Sequence, residues 1–466
     1  MTNPKDLARR AWTRSTSVLQ QRLRDVNLQE VSGSLGDLGT FLPLLLSMAA
    51  FKAISFAPAL FWAGFYNAIT GLLWNSPMPV QPMKTIAAVV VASGNTADPG
   101  LTPEETIGAG ISVGVLVCIL GATGLIDFVN WFVPRPVVRG LQLGLGLSMT
   151  KSGLTMISKL TTASEVDCVL LAVAAALGVL ATHAWHASNR APTALIITVV
   201  GLIIAGIQAQ RSDSPSTHID FAPGFPPLIA VNALTWTDVW NGFLKAGLAQ
   251  LPLTTLNSIV SVCDLNNNKL FPGDPEKRIS LRSVASSVGL MNLSGLWFGA
   301  MPMCHGAGGL AAQHSFGART GAAIIVLGLI KMLLAILLDH SAETLLAFFP
   351  TSLLGVLLMF AGLTLSQAGL DLPPRVEDSA RISVQDERTI LLATAVVTLT
   401  LKTGWGFLAG VIVSFFHHGF DHVLVAAQHR WQARFESRHN GTDPESANRD
   451  DPSLSREENE DGLVRI

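Results

Sequence analysis

Pro77-Met78-Pro79-Val80-Gln81-Pro82-Met83-Lys84 and Met301-Pro302-Met303-Cys304-His305-Gly306-Ala307-Gly308-Gly309 decide how this chain is read. Each stretch sets Pro or Gly in an apolar context and then enters a short helical run, through Ala87-Ala88 in the first and Ala311-Ala312 in the second. The two lie 223 residues apart at Met-Pro and 224 apart at Ala-Ala. Asn67 stands eleven residues before Met78, and Asn292 nine before Met301. Pro134 and Gly146 recur as Pro350 and Gly362 at an offset of 216, and Leu35-Gly36-Asp37-Leu38 aligns loosely with Leu248-Ala249-Gln250-Leu251 at 213. Taken together these matches indicate two copies of one unit.

The surroundings of both stretches are apolar. Of 466 residues, 49% are hydrophobic and 14% charged, against roughly 25% charged in an ordinary soluble domain. Lys and Arg total 31, Asp and Glu 33, for a formal net charge of -2. A soluble chain of this length lacks the charge to cover its domains. The near-neutral balance has no basic stripe for nucleic acid. Four cysteines in or beside apolar segments exclude a secreted disulfide framework. The chain therefore reads as an all-α, polytopic, integral membrane protein in contact with the lipid bilayer.

Gaps between charges mark the spans. From Leu38 to Ala97 the charges are Lys52 and Lys84; from Thr344 to Leu370 there are none; from Thr389 to Phe420 there is Lys402. With about 20 apolar residues needed per crossing, the expected spans lie near 34–51, 57–74, 79–94, 106–132, 137–158, 166–186, 192–209, 238–263, 281–299, 303–316, 319–338, 343–366, 388–401 and 404–425. That is 14 transmembrane segments. A cytoplasmic N-terminus puts Arg135, Arg139, Arg190, Lys269, Lys277, Arg278, Arg282, Arg319, Arg375, Arg381 and Arg388 inside, and Arg211, Lys151 and Lys159 outside, as the positive-inside bias requires. Both termini are then cytoplasmic. Seven spans per unit is odd, so the second unit enters the membrane upside down, giving a 7+7 inverted repeat of the kind secondary transporters use. The expected divisions are a cytoplasmic N-terminal segment (1–30), the first repeat (31–210), an extracytoplasmic loop (211–237), the second repeat (238–425) and an acidic cytoplasmic tail (426–466). Residues 430–466 hold six Arg and nine Asp or Glu, a composition of disorder. No apolar signal region precedes the first span; residues 1–30 read equally as an amphipathic surface helix or a solvated tail.

Spans 3 and 10, which contain the two quoted stretches, read as half-helices starting partway through the bilayer. Pro is tolerated at a helix start, where the first N–H groups have no intrahelical partner. Two such starts facing each other aim two positive dipole ends at one point, an anion site that Gly306 and its neighbouring glycines let a ligand approach. Gln81 stands at one mouth as an amide donor. Lys84 is an intramembrane cation, read as electrostatic support for the site or as the partner of Asp37. Gln250, Thr254 and Asn257 share a helical face at i, i+4 and i+7, read as ligand contacts or as hydrogen-bonding glue between helices; Thr40, three residues after Asp37, is open in the same way. His305 reads either as a pH-sensitive ligand donor or as a histidine satisfied by a carbonyl. Asp37 and His305 are the candidate proton carriers. Asn67 and Asn292 better fit hydrogen bonding to the broken backbone of the half-helices.

Metal binding is not expected: Cys304-His305 lacks further ligands, and the His183/His186 and His417/His418/His422 groups lack acids or thiols. Asn440-Gly441-Thr442 in the tail reads as an accidental glycosylation-like match. No catalytic constellation and no Gly-x-x-x-x-Gly-Lys-Ser/Thr loop is present, so no enzyme activity, no cofactor and no direct use of ATP is expected.

The Gly36-Asp37-Leu38-Gly39-Thr40 run, the Pro77–Lys84 run, Gln250-Leu251-Pro252-Leu253-Thr254-Thr255-Leu256-Asn257-Ser258 and the Pro302–Gly309 run resemble the molybdate transporter family, distant relatives of the sulfate permeases. The resemblance covers about residues 30 to 425. It implies molybdate as substrate, a fourteen-span fold with a core domain (spans 1–4 and 8–11) and a gate domain (spans 5–7 and 12–14), and a homodimer through the gate domain. Moving a dianion into a negative compartment costs about 2.3 kcal/mol per charge per 100 mV, which makes proton coupling an expected feature. Sulfate or another oxyanion fits the same fold, and an anion channel or an oxyanion sensor signalling through its tail is the alternative class. Plasma membrane, vacuole and other organelles fit the same spans.

Overall fold

The computed structural model describes residues 17–93, 101–162, 166–184, 192–211, 224, 234–338, 340–370, 384–401 and 403–418. Arg190, Arg375, Arg381, Lys402, most of the 211–237 loop, the tail at 426–466, Asn440-Gly441-Thr442 and the side chains of His183, His186, His417, His418 and His422 lie outside them. The chain forms two compact units, 1–411 and 412–466; the described part of the second is the end of its last helix.

The first unit is built of helices on nearly all the expected stretches: α1 (Leu28–Ala50), α2 (Phe56–Leu73), α3 (Lys84–Ser93), α4 (Pro103–Thr123), α5 (Leu125–Phe132), α6 (Arg135–Ser158), α7 (Val169–Ala184), α8 (Thr193–Arg211), α9 (Trp236–Leu270), α10 (Leu281–Gly295), α11 (Ala307–Ser315), α12 (Gly321–Leu338), α13 (His340–Ala347), α14 (Thr351–Leu370), α15 (Val384–Thr400) and the start of α16 (Thr403–His418). Six are long and apolar enough to cross a membrane, namely α1, α2, α4, α8, α9 and α14. Large apolar side chains point outward along α7 and α8, among them Leu170, Leu177, Ile196 and Ile203, and Trp236 and Trp405 stand exposed at helix starts, a surface suited to hydrocarbon with aromatic edges. This is an integral, multi-pass membrane protein.

The sequence expectations and the structure differ at identifiable places. α1 starts at Leu28, earlier than 34, because Asn27 caps it, its side-chain oxygen accepting from Gln29 N and Glu30 N. The stretch 106–132 is two helices, since Gly124 turns through φ +75 between α4 and α5. Pro350 likewise separates α13 from α14. α9 runs on to Leu270 and is π-helical over Phe243–Gly247, Thr254–Ser261 and Leu265–Leu270. Pro252 lies between the first two of these segments. It has no N–H to give the i−4 carbonyl, and a face drawn with a 3.6-residue period does not carry through such stretches.

Packing joins distant parts of the chain: α2 lies on α12, α4 on α10, and α6 on α14. At the last contact Gly146 and Gly362 touch; a methyl on Gly146 would stand 2.6 Å from the Gly362 carbonyl, and one on Gly362 2.5 Å from the Gly146 carbonyl. Small residues let helix backbones approach this closely.

Arg139 is not a loop residue but a buried part of α6. Its guanidinium donates to Gln142 Oε1 (3.1 Å), the Ala368 carbonyl (3.1 Å) and Asp264 Oδ1 (3.2 Å), and pairs with Asp264 Oδ2 at 3.1 Å. Gln142 Nε2 also donates to Asp264 Oδ2 at 3.1 Å. Three helices, α6, α9 and α14, meet on this one cation. Removing one member of such a pair strands the other, at a cost of about 3–5 kcal/mol. Arg139→Ala should lower the apparent melting temperature of the purified protein by several degrees. Arg139→Lys should recover only part of it, because a lysine cannot fork to all three acceptors.

Candidate functional site

The two quoted stretches form a pair of short strands. β1 (Val80–Pro82) and β2 (Met303–His305) run antiparallel, with Val80 opposite His305, Gln81 opposite Cys304 and Pro82 opposite Met303. Prolines and a broken helix leave backbone groups without intrahelical partners in an apolar interior, where each unmet group is costly. The asparagines meet them. Val80 N donates to Asn67 Oδ1 at 2.7 Å, Met303 N donates to Asn292 Oδ1 at 2.8 Å, and Asn292 Nδ2 donates to the Met303 carbonyl at 2.6 Å. Met83 N donates to the Pro302 carbonyl at 2.9 Å. From this pair α3 and α11 set out.

Directly opposed residues of a strand pair project to the same face, and neighbours along a strand to opposite faces. Gln81 and Cys304 therefore share one face, while His305 lies on the other with Val80. His305 is fully buried there: Nε2 is 3.3 Å from Ser287 Oγ, Nδ1 is 3.4 Å from the Pro79 carbonyl, and the ring meets Trp74 edge to face. Cys304 Sγ accepts from Ser258 Oγ at 3.2 Å.

On its own face Gln81 meets α1. Gln81 Nε2 donates to Asp37 Oδ1 and to Thr40 Oγ1, the latter at 2.7 Å. The Thr40 hydroxyl lies against Asp37 Oδ1 and is 2.9 Å from the Asp37 main-chain carbonyl. Asp37 Oδ2 and Gln81 Oε1 are buried without a hydrogen-bond partner. The Gln81 amide rests on the start of α11: a methyl on Gly306 would overlap its carbonyl oxygen, and one on Gly309 would stand 2.5 Å from Nε2. Gly306 is the N-cap of α11, and no side chain caps that end.

The start of α3 differs. Gln250 Oε1 accepts from Thr85 N at 2.8 Å, and Gln250 Nε2 donates to Thr254 Oγ1, also at 2.8 Å. Gln250 thus caps α3 directly. Lys84, half-buried at the first residue of α3, has no carboxylate within 4 Å among the described ion pairs. Asn257 lies in the π-helical stretch with Oδ1 buried and unpartnered. The structure thus gathers Asp37, Thr40, Gln81 and Gly306 into one group and Gln250, Thr254 and Thr85 N into another, and turns His305 away from Gln81.

Two residues carry more weight than their sequence context suggests. Cys304 faces with Gln81 because of strand pairing, which no span count encodes. Lys331 stands alone in the otherwise apolar run of α12; it is buried, and its Nζ sits 3.4 Å from the centre of the Phe41 ring. An ionisable residue in such a run is itself a signal.

Comparison with known proteins agrees with this architecture. The family model described as "Molybdate transporter of MFS superfamily" matches residues 29–149 and 242–365. Molybdate transporter 2 of Arabidopsis thaliana is 37% identical over 449 residues, covering 88% of this chain and 90% of that protein. Molybdate transporter 1 of Chlamydomonas reinhardtii is 34% identical over 536 residues, covering 93% and 97%. Among solved structures, SLC26A9 shares the fold at a TM-score of 0.56 and 16% identity, over 90% of this chain and 70% of that one. By the extent of the family match and of these relatives, the chain belongs to the molybdate transporter family.

Proposed function

We propose that this chain carries molybdate across a membrane as a secondary active transporter, with the dianion held at the start of α11, against Gln81 and facing the start of α3. The observation that carries the reading is the buried, uncapped end of α11 at Gly306. N–H groups at such an end need a partner, and an oxyanion is a suitable one. The substrate follows from relatives named molybdate transporters that match along nearly their whole length. Gln81 is the direct side-chain donor; Gly306, lacking a Cβ, leaves room for the Gln81 amide at the start of α11; Lys84 offsets the charge of the ligand from the side. Gln250 and Thr254 hold α3 in place opposite, and Asn257 brings a free amide oxygen to the same wall. His305 supports β2 from behind.

The fourteen-span, 7+7 inverted arrangement belongs to this reading. Counting each expected span in order, α2 on α12 is the second with the eleventh and α4 on α10 the fourth with the ninth. A seven-span repeat exchanges these two contacts and maps α6 on α14, the fifth with the twelfth, onto itself. Alternating access follows as the core spans shift against the gate spans, with both termini cytoplasmic.

The same geometry favours proton coupling through Asp37. Ionised, Asp37 draws Gln81 Nε2 toward itself and leaves the Gln81 carbonyl oxygen facing Gly306, where it repels an oxyanion. Protonated, Asp37 donates to that oxygen once the amide turns over, and Nε2 then faces the start of α11. Thr40 keeps the carboxyl in position. A proton and a dianion thus favour each other's binding.

Four outcomes test this. Proteoliposomes holding the full chain should accumulate molybdate against its gradient, and a tenfold excess of sulfate should compete poorly; saturable flux without accumulation would instead indicate a channel, and strong competition a general oxyanion carrier. A hydrogen bond to a charged ligand is worth about 1.5–3 kcal/mol, so Gln81→Ala should raise KM about ten- to a hundredfold. Gly306→Ala should abolish uptake by displacing Gln81, whereas Gly178→Ala, with open space around it, should not. Wild-type uptake should rise as the outside pH falls, and Asp37→Asn, fixed in a neutral form, should lose that response while still binding molybdate.

A further inference from the structure

Lys331 has no part in the site as sequence reading draws it. Its Nζ is buried without a hydrogen-bond partner and lies on the face of Phe41. Asp37 closes a 3-10 turn of α1 and Phe41 lies in the first turn of the α-helical stretch that follows, so the two residues are about one turn apart along the chain. Asp37 Oδ2, on the residue four before Phe41, is likewise buried without a hydrogen-bond partner. A cation over an aromatic ring is partly compensated, but without a hydrogen-bonding partner it stays available to another anion. Of the elements packed on this part of α1, α2, α14 and β1 bring no charged residue; α12 brings Lys331, α3 Lys84, α11 His314 in its last turn, α8 Arg211 at its end and α13 His340 and Glu343 in its sequence.

We propose that Lys331 is the shared counter-ion of the transport site, serving the Asp37 carboxylate when the site is empty and the oxyanion when Asp37 takes up a proton. This rests on the transport reading above. When Asp37 is neutralised, Lys331 and Lys84 are left as two positive charges around a dianion. When the dianion leaves and the proton follows, Asp37 and Lys331 again balance each other. Lys331 is thus a positioning residue that makes proton and dianion binding cooperative without touching either.

The test uses the full chain in proteoliposomes with molybdate as the probe. Lys331→Gln should raise KM at least tenfold, leave the maximal rate less affected, and flatten the dependence of KM on pH; Lys331→Arg should restore most of both. A Lys331→Gln protein with the wild-type KM and pH profile overturns the proposal. If Lys331→Gln does not reach a folded state, the double variant Lys331→Gln/Asp37→Asn decides. Recovery of folded protein when both charges are removed supports the pairing, and its loss assigns Lys331 a purely packing role. A wild-type protein that moves no molybdate strikes at the transport reading instead; the proposal on Lys331 is judged in a wild type that transports.

Discussion

The interruption of two helices inside an apolar body is the constraint on which the rest depends. In hydrocarbon or a dry protein interior, a peptide group without a hydrogen-bond partner is costly, so a chain that breaks off a helix there must supply a replacement. This chain supplies it twice over. Each broken stretch pairs with the other as a strand, and each is held by an asparagine from the preceding helix, Asn67 on Val80 and Asn292 on Met303. Neither stretch completes its own interruption, because half of the ladder comes from the other. The positions of α3 and α11 follow from that pairing, and so does the side on which Gln81 projects.

Charge follows the same logic. The net charge of -2 says nothing of the interior, where Lys84 opens α3, Asp37 meets Gln81 at the start of α11, and Lys331 lies on the Phe41 ring. Peptide dipoles at those starts are uncounted in any formal charge, and in low dielectric they weigh more than surface charges do. A polar contact outside the site, Arg139 with Asp264, shows a different use of buried charge: it fixes α6, α9 and α14 to one another and faces no helix start.

Much of this was legible in the residues. Hydropathy and charge gaps placed the helices within a few residues, because lipid requires long apolar runs of simple pattern. The paired prolines and the preceding asparagines pointed to the broken helices and to the role the asparagines perform. What escaped was whatever depends on contact rather than period. Strand pairing sends Cys304, not His305, to the face of Gln81. The π-helical turns around Pro252 blur the face assigned to Gln250, Thr254 and Asn257. Arg139 reads as an interfacial charge until Asp264, 125 residues away, is seen against it. Lys331 was visible as a lone charge in an apolar run, but its meaning depends on Phe41 and Asp37 lying across from it.

On the proposed inverted-repeat reading, the two halves differ in chemistry at corresponding places, and that difference would give the site a direction. At the loosely matching positions of the first and eighth spans stand Asp37 and Gln250. Gln250 spends its amide on Thr85 N and Thr254, which closes the start of α3 with a neutral group. Asp37 reaches instead to Gln81, which lies at the uncapped start of α11. One helix end is thus capped by a neutral amide, and the other adjoins a carboxyl group whose charge can change. Two identical ends would compete for the same ligand or hold it too symmetrically to sense a proton. With an amide on one side and an acid on the other, the proposed transport cycle would keep a backbone symmetry suited to alternation while making the affinity of the site depend on protonation at a single residue.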